Sequence, residues 1–318
     1  MRDAGVTLVE LLVSIALSSM TFIAAMQLVG TSLGSSADMA AWSNLHDRAA
    51  HAMLLFEQSV ARAGYLGCGG RSVALQSLLR SEMSAAPELH LARPYAVHHV
   101  GVNGAQSLNT THLPISSRAV DGRFGINIHR LVPSNDILVV RGLAYQALPL
   151  RTQTSAGGRI EVAARRGVVA GDFVALTDCQ HLEVFRVTNV IDRSDHSLLA
   201  RASGLRRHDN HAGRLAASRV FSVSALSRPR LHRIESEFFF IAAGAGAADT
   251  PALWRKDTHR RPLEVIAGIH DLDVDEIKDS DGHVLGLRIR LTATSASEVR
   301  GKPLERTYVR HFAFENIL

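Results

Sequence analysis

The chain begins with an apolar run that is longer than a helix of a soluble domain needs. After the short polar stretch 1–5, residues 6–30 are almost all apolar or small. A helix of this length reaches roughly 37 Å, which is enough to cross the hydrocarbon core of a bilayer. No other segment of the sequence has this length and character. The pattern therefore predicts one membrane-spanning helix, with the large remainder of the chain on one side.

A second helical pattern follows, in which an apolar residue recurs every three or four positions. The predicted buried stripe is Trp42, Leu45, Ala49, Ala52, Phe56 and Val60. The predicted solvated side is Asn44, Asp47, Arg48, His51, Glu57 and Arg62. Gly64 suits the C-terminal cap of this helix. Residues 30–36 are poor helix formers, so a hinge between the two helical parts would use Gly30 and Gly34.

Beyond residue 130 the apolar residues occur in short runs separated by turn residues, which predicts β-structure. The predicted strands are Asp136–Val140, Phe173–Leu176, Glu183–Val190, Arg219–Ser224, Glu235–Ala242, Leu263–Glu276, Leu285–Ala293 and Arg306–Phe314. Apolar and polar residues alternate along Leu285–Ala293, as in a sheet with one buried face. Asp281 and Gly282 predict a hairpin turn. The expected fold class is α+β: a long N-terminal helix packed on an antiparallel sheet.

One charge lies inside the apolar run, at Glu10. A carboxylate in a membrane span is costly and usually serves a function. The alternative is that Glu10 lies near the helix end and reaches the headgroups. The break in polarity falls before the apolar run, between Gly5 and Val6, whereas an ordinary secretory signal peptide is cleaved after its apolar region. Arg2 ahead of the run places Met1 in the cytoplasm, although Asp3 weakens that signal.

The segment Gly5-Val-Thr-Leu-Val-Glu-Leu-Leu-Val13 resembles the prepilin motif of type IV pilins and type II secretion pseudopilins. The resemblance implies cleavage after Gly5 by a prepilin peptidase, N-methylation of Val6 and an assembly role for Glu10. In a packed fibre, Glu10 would neutralise the buried ammonium of Val6 in a neighbouring subunit. Two features depart from the usual motif: Val6 stands where Phe is common, and the leader contains Asp3.

Other segments resemble PilW-type minor pilins: Ala63–Cys68, Phe238–Gly246 with Pro251–Arg255, and Leu263–Leu272. The resemblance implies a pilin-like organisation with a periplasmic β-rich domain. The predicted parts are a leader (1–5), a transmembrane and assembly helix (6–30), an amphipathic helix (31–64) and a globular domain (65–318).

The implied function is that of a structural, non-enzymatic minor pilin that helps to initiate or cap a type IV pilus, in support of twitching motility or adhesion. The implied partners are other minor pilins, the major pilin, a tip adhesin, the prepilin peptidase and the inner membrane. A J-type minor pseudopilin of type II secretion is one alternative. A DNA-binding subunit of a competence pilus is another, although an aromatic content of 5% argues against a base-stacking surface.

The chain has two cysteines, Cys68 and Cys179, and an even count in an exported chain favours a disulfide. Closing a loop of about 110 residues would contribute at most roughly 4–5 kcal/mol in the chain-entropy model. Two buried free thiols are the alternative.

The remaining candidate sites favour neither an enzyme nor a cofactor. Gly244–Ala248 resembles a phosphate loop but lacks a following helix, which predicts a hairpin loop instead. Asp279–Gly282 does not fit the calcium loop of an EF-hand, and a looser calcium site would need Asp273 and Asp275 as well as Asp279 and Asp281. No His-Glu-x-x-His or Gly-x-Ser-x-Gly occurs. The basic clusters 206–208, 228–230 and 259–261 could hold an anionic surface.

Overall fold

One long helix and a β-rich domain make up the computed structural model of the chain. The structure describes residues 8–81, 87–100, 131–163, 167–206, 208–224, 228–246, 250–258, 261–299 and 302–316. Helix α1, Leu8–Ala61, has 54 residues and a length of about 80 Å. It runs unbroken through Gly30 and Gly34, so the predicted weak point does not interrupt it. Gly64 follows three residues after its end with a φ of 74°, in the left-handed region that favours glycine.

Fourteen strands within the described residues form three sheets. The strands are β1 (Ala74–Ser77), β2 (Tyr95–Val100), β3 (Asn135–Pro149), β4 (Ile160–Val162), β5 (Phe173–Thr177), β6 (His181–Arg186), β7 (Asn189–Asp192), β8 (Ser197–Ala200), β9 (Arg230–Ala243), β10 (Pro251–Asp257), β11 (Leu263–Ala267), β12 (Ile269–Lys278), β13 (Val284–Val299) and β14 (Lys302–Ala313). A short helix, α2 (Ala212–Ala216), and two 3-10 turns, Gly67–Ser72 and Pro87–Leu89, complete the elements.

The largest sheet has eight strands and is centred on β9. Its main path is β1-β6-β5-β9-β10-β11, and β3 also pairs with β9 and carries β2 on its other side. The second sheet is β12-β13-β14, and the third is β4-β8-β7. The predicted combination of a long helix and a large β-sheet domain is confirmed. The described strand pairs are antiparallel, as predicted, with the exception of β1, which pairs with β6 in parallel.

Three of the predicted strands are wrong in detail. The run Leu263–Glu276 is two strands in different sheets, because Gly268 turns the chain with a φ of 78°. The run Glu183–Val190 is likewise divided between β6 and β7. The run Arg219–Ser224 is not a strand. There Phe221 is buried, and its N–H donates to the hydroxyl of Thr154 rather than to a ladder.

The predicted hairpin at Asp281-Gly282 is confirmed, since it joins β12 to β13 and Gly282 has a φ of 85°. The alternation along β13 is also confirmed: Leu287, Ile289 and Leu291 are buried against α1 and its neighbours. The sheet therefore has one face in the core and one in solvent.

The second half of α1 supplies one side of the core. Five of the six stripe residues are buried, namely Leu45, Ala49, Ala52, Phe56 and Val60. The ring of Phe56 lies 4.8 Å from that of Phe239 on β9. The prediction for Trp42 is wrong, because its side chain is 43% exposed and Ala41 takes the buried position. The small side chain of Ala41 lies four residues before Leu45 and so continues the buried face.

Side chains join the second sheet to the first along the edge of β12. Asn135 Oδ1 accepts from the N–H of Leu272 at 2.7 Å, and Asp136 Oδ2 accepts from the N–H of Val274 at 2.8 Å. Burial raises the pKa of the Asp136 carboxyl above its usual value, and the hydrogen bonds from Val274 and His99 offset only part of that rise. Two side chains of β3 thus satisfy backbone groups that a neighbouring strand would otherwise pair.

We expect Phe56→Asp to destabilise the protein by at least about 3 kcal/mol, because it places an unpaired charge in the core and leaves a cavity. Leu54→Asp is the matched control on the same helix, since Leu54 is 49% exposed. Thermal unfolding of both variants in detergent, followed by circular dichroism, measures the difference. Equal melting temperatures for the two variants would show that Phe56 does not hold α1 to the sheet.

Candidate membrane and assembly helix

The first half of α1 stands clear of the β-rich domain. Every residue from Leu8 to Ser36 is exposed, including large apolar side chains such as Leu28 and Leu33. Among the described residues α1 is the one helix long and apolar enough to cross a membrane. A continuous apolar surface of this size normally lies against lipid or another protein. The helix therefore has an apolar, exposed half and a half that is docked on the domain.

Four hydroxyl groups in the exposed half are satisfied within the helix itself. The hydroxyls of Ser14 and Ser19 each donate to the carbonyl three residues earlier at 2.8 Å. Thr21 and Thr31 do the same at 2.9 Å. Such bonds leave no hydroxyl donor of these four residues in need of water. The segment is thus suited to surroundings that offer no hydrogen-bond partners.

Glu10 is the one charged residue between Leu8 and Ser36, and it lies in the first turn of α1 as described. The predicted cleavage and methylation residues, Gly5 and Val6, lie outside the described residues. The structure therefore places Glu10 within α1 and does not describe the two processing residues.

The other end of α1 is fixed to the sheet by a network of charges. Arg62 donates to Glu235 Oε2 at 2.5 Å and contacts Glu237 Oε1 at 2.6 Å. Glu237 also accepts from the hydroxyl of Ser59 and from the guanidinium of Arg255. Its side chain is only 4% exposed. We call these five residues the Glu237 network; it ties the last turn of α1 to β9 and β10.

Glu237 remains a strong partner for these cations despite its burial. Burial alone would raise the pKa of its carboxyl. The charges of Arg62 and Arg255, together with the hydrogen bond from Ser59, outweigh burial and hold that pKa below its usual range. The ionised form is therefore the one that the folded protein stabilises.

Sequence reasoning missed this network because it assigned Arg62 to the solvated side of the helix. In the structure the side chain of Arg62 is 23% exposed and points at β9. A signal was present: Glu235 and Glu237 are two residues apart directly before a run of three Phe, so both acids fall on one face of a strand that is otherwise apolar. Two acids on a predicted buried strand call for a cation nearby.

The backbone around the end of α1 is equally constrained. The side-chain amide of Asn316 donates to the carbonyl of Ala61 at 2.7 Å, and the N–H of Gly64 donates to the carbonyl of Arg141 at 2.9 Å. Gly142 on β3 passes so close that a Cβ there would lie 2.5 Å from the carbonyl oxygen of Arg62. Only glycine allows this approach, so helix and strand are in direct backbone contact.

Cys68 and Cys179 form the predicted disulfide, with their Cα atoms 4.9 Å apart. Cys68 lies in the 3-10 turn just after α1, and Cys179 lies in the loop between β5 and β6. Both residues are exposed, so the alternative of two buried free thiols is wrong. In addition to the main chain, the bridge connects the segment after α1 covalently to the large sheet.

The structure divides the residues of the looser calcium site between two places. Asp273 pairs with Arg290 at 2.9 Å, and Asp275 pairs with Arg288 at 2.7 Å, both on the outer face of the second sheet. Asp279 instead accepts hydrogen bonds from backbone N–H groups of its own turn, including that of Asp281. Asp273 and Asp275 are therefore each paired with an arginine, whereas one ligand atom each from Asp279, Asp281 and His283 lies within 4.8 Å of the others in the turn before β13.

The glycine-rich run 244–248 and the basic clusters are only partly described by the structure. The run 244–246 follows β9 and leads towards β10, which pairs with β9 as a hairpin, as predicted. Residues 247 and 248 of that run lie outside the described part. Of the basic clusters, 228–230 is described, whereas residues 207, 259 and 260 are not.

No protein-family model, curated protein or solved structure matches this chain. Function is therefore inferred from its own residues and from their arrangement in the fold.

We expect Glu237→Gln to lower stability by about 3–5 kcal/mol near neutral pH, because it leaves Arg62 and Arg255 without their shared buried partner. A lowered folded pKa stabilises the protein above the ordinary carboxyl pKa of 4.5, and this stabilisation is lost as the pH falls through the folded pKa. The gap in melting temperature between wild type and variant should therefore be widest above about pH 5.5 and should narrow below 4.5.

Glu235→Gln is the matched control, because Glu235 contacts the same arginine but its side chain is 31% exposed. We expect a smaller loss from this change. A gap for Glu237→Gln that stays constant from about pH 8 to pH 3 would contradict the assigned titration.

Proposed function

We propose that the protein is a minor pilin: a single-pass inner-membrane protein whose β-rich domain lies in the periplasm and which helps to initiate or cap a type IV pilus. The observation that carries the proposal is the exposed apolar half of α1, which begins beside Glu10 and directly follows the Gly5-Val6 motif. A helix that is apolar on all sides, exposed over 29 residues and fixed at its far end is suited first to lipid and then to a bundle of similar helices.

In this proposal a prepilin peptidase cuts after Gly5, and the new N-terminus at Val6 is methylated. A charged residue at mid-span costs roughly 2.5–3.5 kcal/mol on insertion scales and less near the helix end. This cost is offset when the Glu10 carboxylate meets the Val6 ammonium of a neighbouring subunit, because each charge then satisfies the other away from water. Glu10 thus favours the assembled state over the isolated subunit in lipid.

The docked half of α1 gives the helix a mechanical role. The Glu237 network, the disulfide and the backbone contact at Gly142 all lie at the point where α1 meets the sheets. Load on the exposed half is therefore passed to the whole β-rich domain rather than to a flexible linker. This suits a structural subunit whose partners are other minor pilins, the major pilin and a tip adhesin, and it requires no reaction at the site.

A J-type minor pseudopilin of type II secretion would use the same helix. The length of 318 residues and the Cys68–Cys179 bridge favour the pilus, since such pseudopilins are typically shorter. Deletion of the gene separates the two functions: loss of surface pili and of twitching motility supports the minor pilin, whereas loss of enzyme secretion with normal pili supports the pseudopilin.

We expect Gly5→Leu to block processing, because a side chain at the cleavage point would crowd the peptidase and restrict the backbone that it must hold. The membrane-bound variant should keep residues 1–5 and so be heavier than wild type by that leader. Intact mass of the purified membrane proteins measures this. A wild-type membrane protein that itself retains residues 1–5 would remove the pilin proposal.

We expect Glu10→Leu to be inserted, cleaved and stable, but to enter pili poorly, because the Val6 ammonium of a neighbour would lose its partner. Gln27→Leu is the matched control, since it removes another polar side chain from the same exposed half of α1. Immunoblots of sheared pili and of membranes give the ratio of pilus-incorporated to membrane-bound protein for each variant. Equal incorporation of Glu10→Leu and wild type would eliminate the assembly role of Glu10.

A further inference from the structure

The C-terminal strand β14 forms an open edge of the second sheet. Within the described residues, β13 is the one strand that pairs with it. Twelve residues at about 3.4 Å each give an edge of about 40 Å. The backbone N–H and C=O groups along such an edge are a template for another strand.

The opposite edge of the same sheet, strand β12, differs from β14 because side chains of β3 bind its backbone. On β12 the N–H groups of Leu272 and Val274 are bound by the side chains of Asn135 and Asp136. On β14 one backbone group, the N–H of Leu304, meets a side chain of the described residues, that of Ser295 on the paired strand. Within the part of the chain that the structure describes, the fold therefore binds two backbone groups of one edge by side chains and places no strand on the other.

The open edge carries a net positive charge, since Lys302, Arg306 and Arg310 outnumber Glu305. Arg310 pairs with Glu57 at 3.2 Å, but within the described residues neither Lys302 nor Arg306 has a carboxylate partner. The guanidinium of Arg306 is nevertheless held in place, because it lies 5.6 Å from the ring centroids of both Trp42 and Tyr308. This stack also explains why Trp42 faces outwards. A positioned cation beside a free backbone edge selects for a negatively charged strand.

The same charges oppose pairing of β14 with a second copy of itself. In an antiparallel two-fold pairing centred on Tyr308, Arg306 of each copy would stand opposite Arg310 of the other. Like charges directly opposite each other on paired strands are destabilising. In this register the charges oppose self-association, whereas an acidic strand would not meet the same repulsion.

We propose that β14 is a docking edge for an extended, acidic segment of a partner protein. The segment would add a fourth strand to the sheet through main-chain hydrogen bonds and would place carboxylates opposite Lys302 and Arg306. Main-chain pairing supplies the affinity, and the charges supply the selectivity. This inference does not depend on the pilin proposal, because it rests on the second sheet and on the docked half of α1 that packs against it.

Hydrogen exchange of the full-length protein in detergent micelles, read by mass spectrometry, tests the proposal. The probe is a twelve-residue peptide with the sequence Thr-Glu-Val-Glu repeated three times, and the control peptide has Lys in place of Glu. At a free acidic peptide concentration of about ten times its Kd, exchange of Lys302–Ala313 should slow about tenfold. The basic peptide should leave that exchange unchanged.

A pair of double variants assigns the effect to the edge charges. The double variant Lys302→Gln with Arg306→Gln should bind the acidic peptide with an affinity lower by roughly fivefold, because two cross-strand charge pairs are lost. Arg288→Gln with Arg290→Gln removes the same charge from the outer face of the neighbouring strand and should leave the affinity unchanged. Circular dichroism confirms that both variants are folded.

Three results would overturn the proposal. They are equal protection by the two peptides, protection confined to residues outside β14, and protection of β14 without peptide that rises with protein concentration. The last result would identify a second copy of the chain as the occupant of the edge.

Discussion

Glu237 needs cationic partners inside the protein, and the joint between helix and sheet is built around that need. A buried carboxylate is tolerated when opposite charges and hydrogen-bond donors surround it, and here Arg62 comes from the helix while Arg255 comes from β10. Removing either arginine would weaken this compensation of the buried charge. The network therefore favours the arrangement in which the helix end, β9 and β10 are packed together, and Phe56 belongs to the core cluster of the same arrangement.

This joint fixes where the two halves of α1 lie. Every described residue of α1 from Leu8 to Ser36 is exposed. From Ala41 onwards the helix contributes side chains to the core. The same continuous element is thus an exposed apolar helix at one end and a structural member of the domain at the other. The disulfide, which follows within seven residues of the end of α1, adds a covalent tie to the far side of the large sheet.

Local patterns predicted those parts of the fold that local physics decides. The period of the apolar residues gave the helix and its stripe, and Asp281-Gly282 gave a hairpin because glycine is needed at a φ of 85°. Trp42 and Arg62 were misplaced for one reason: each is positioned by a long-range partner, Arg306 for the first and Glu237 for the second. The parallel pairing of β1 with β6 is equally non-local and leaves no periodic signal. Of the candidate site, the position of Glu10 within α1 and the Cys68–Cys179 bridge were accessible from sequence, whereas the anchor that orients the helix was not.

Because α1 is unbroken, a small change of angle where it meets the sheets, at the Glu237 network and Gly142, moves its exposed end by a large distance. Some 48 residues separate Phe56 from Leu8, a distance of about 72 Å along a straight helix. A tilt of about 5° at this joint would displace the far end by about 6 Å, more than the reach of an ion pair. The angular stiffness of the joint at Gly142 and Glu237 therefore limits how closely the domain fixes the position of Glu10. Changes in the sheet that leave the exposed half of α1 untouched can in this way alter what its tip meets.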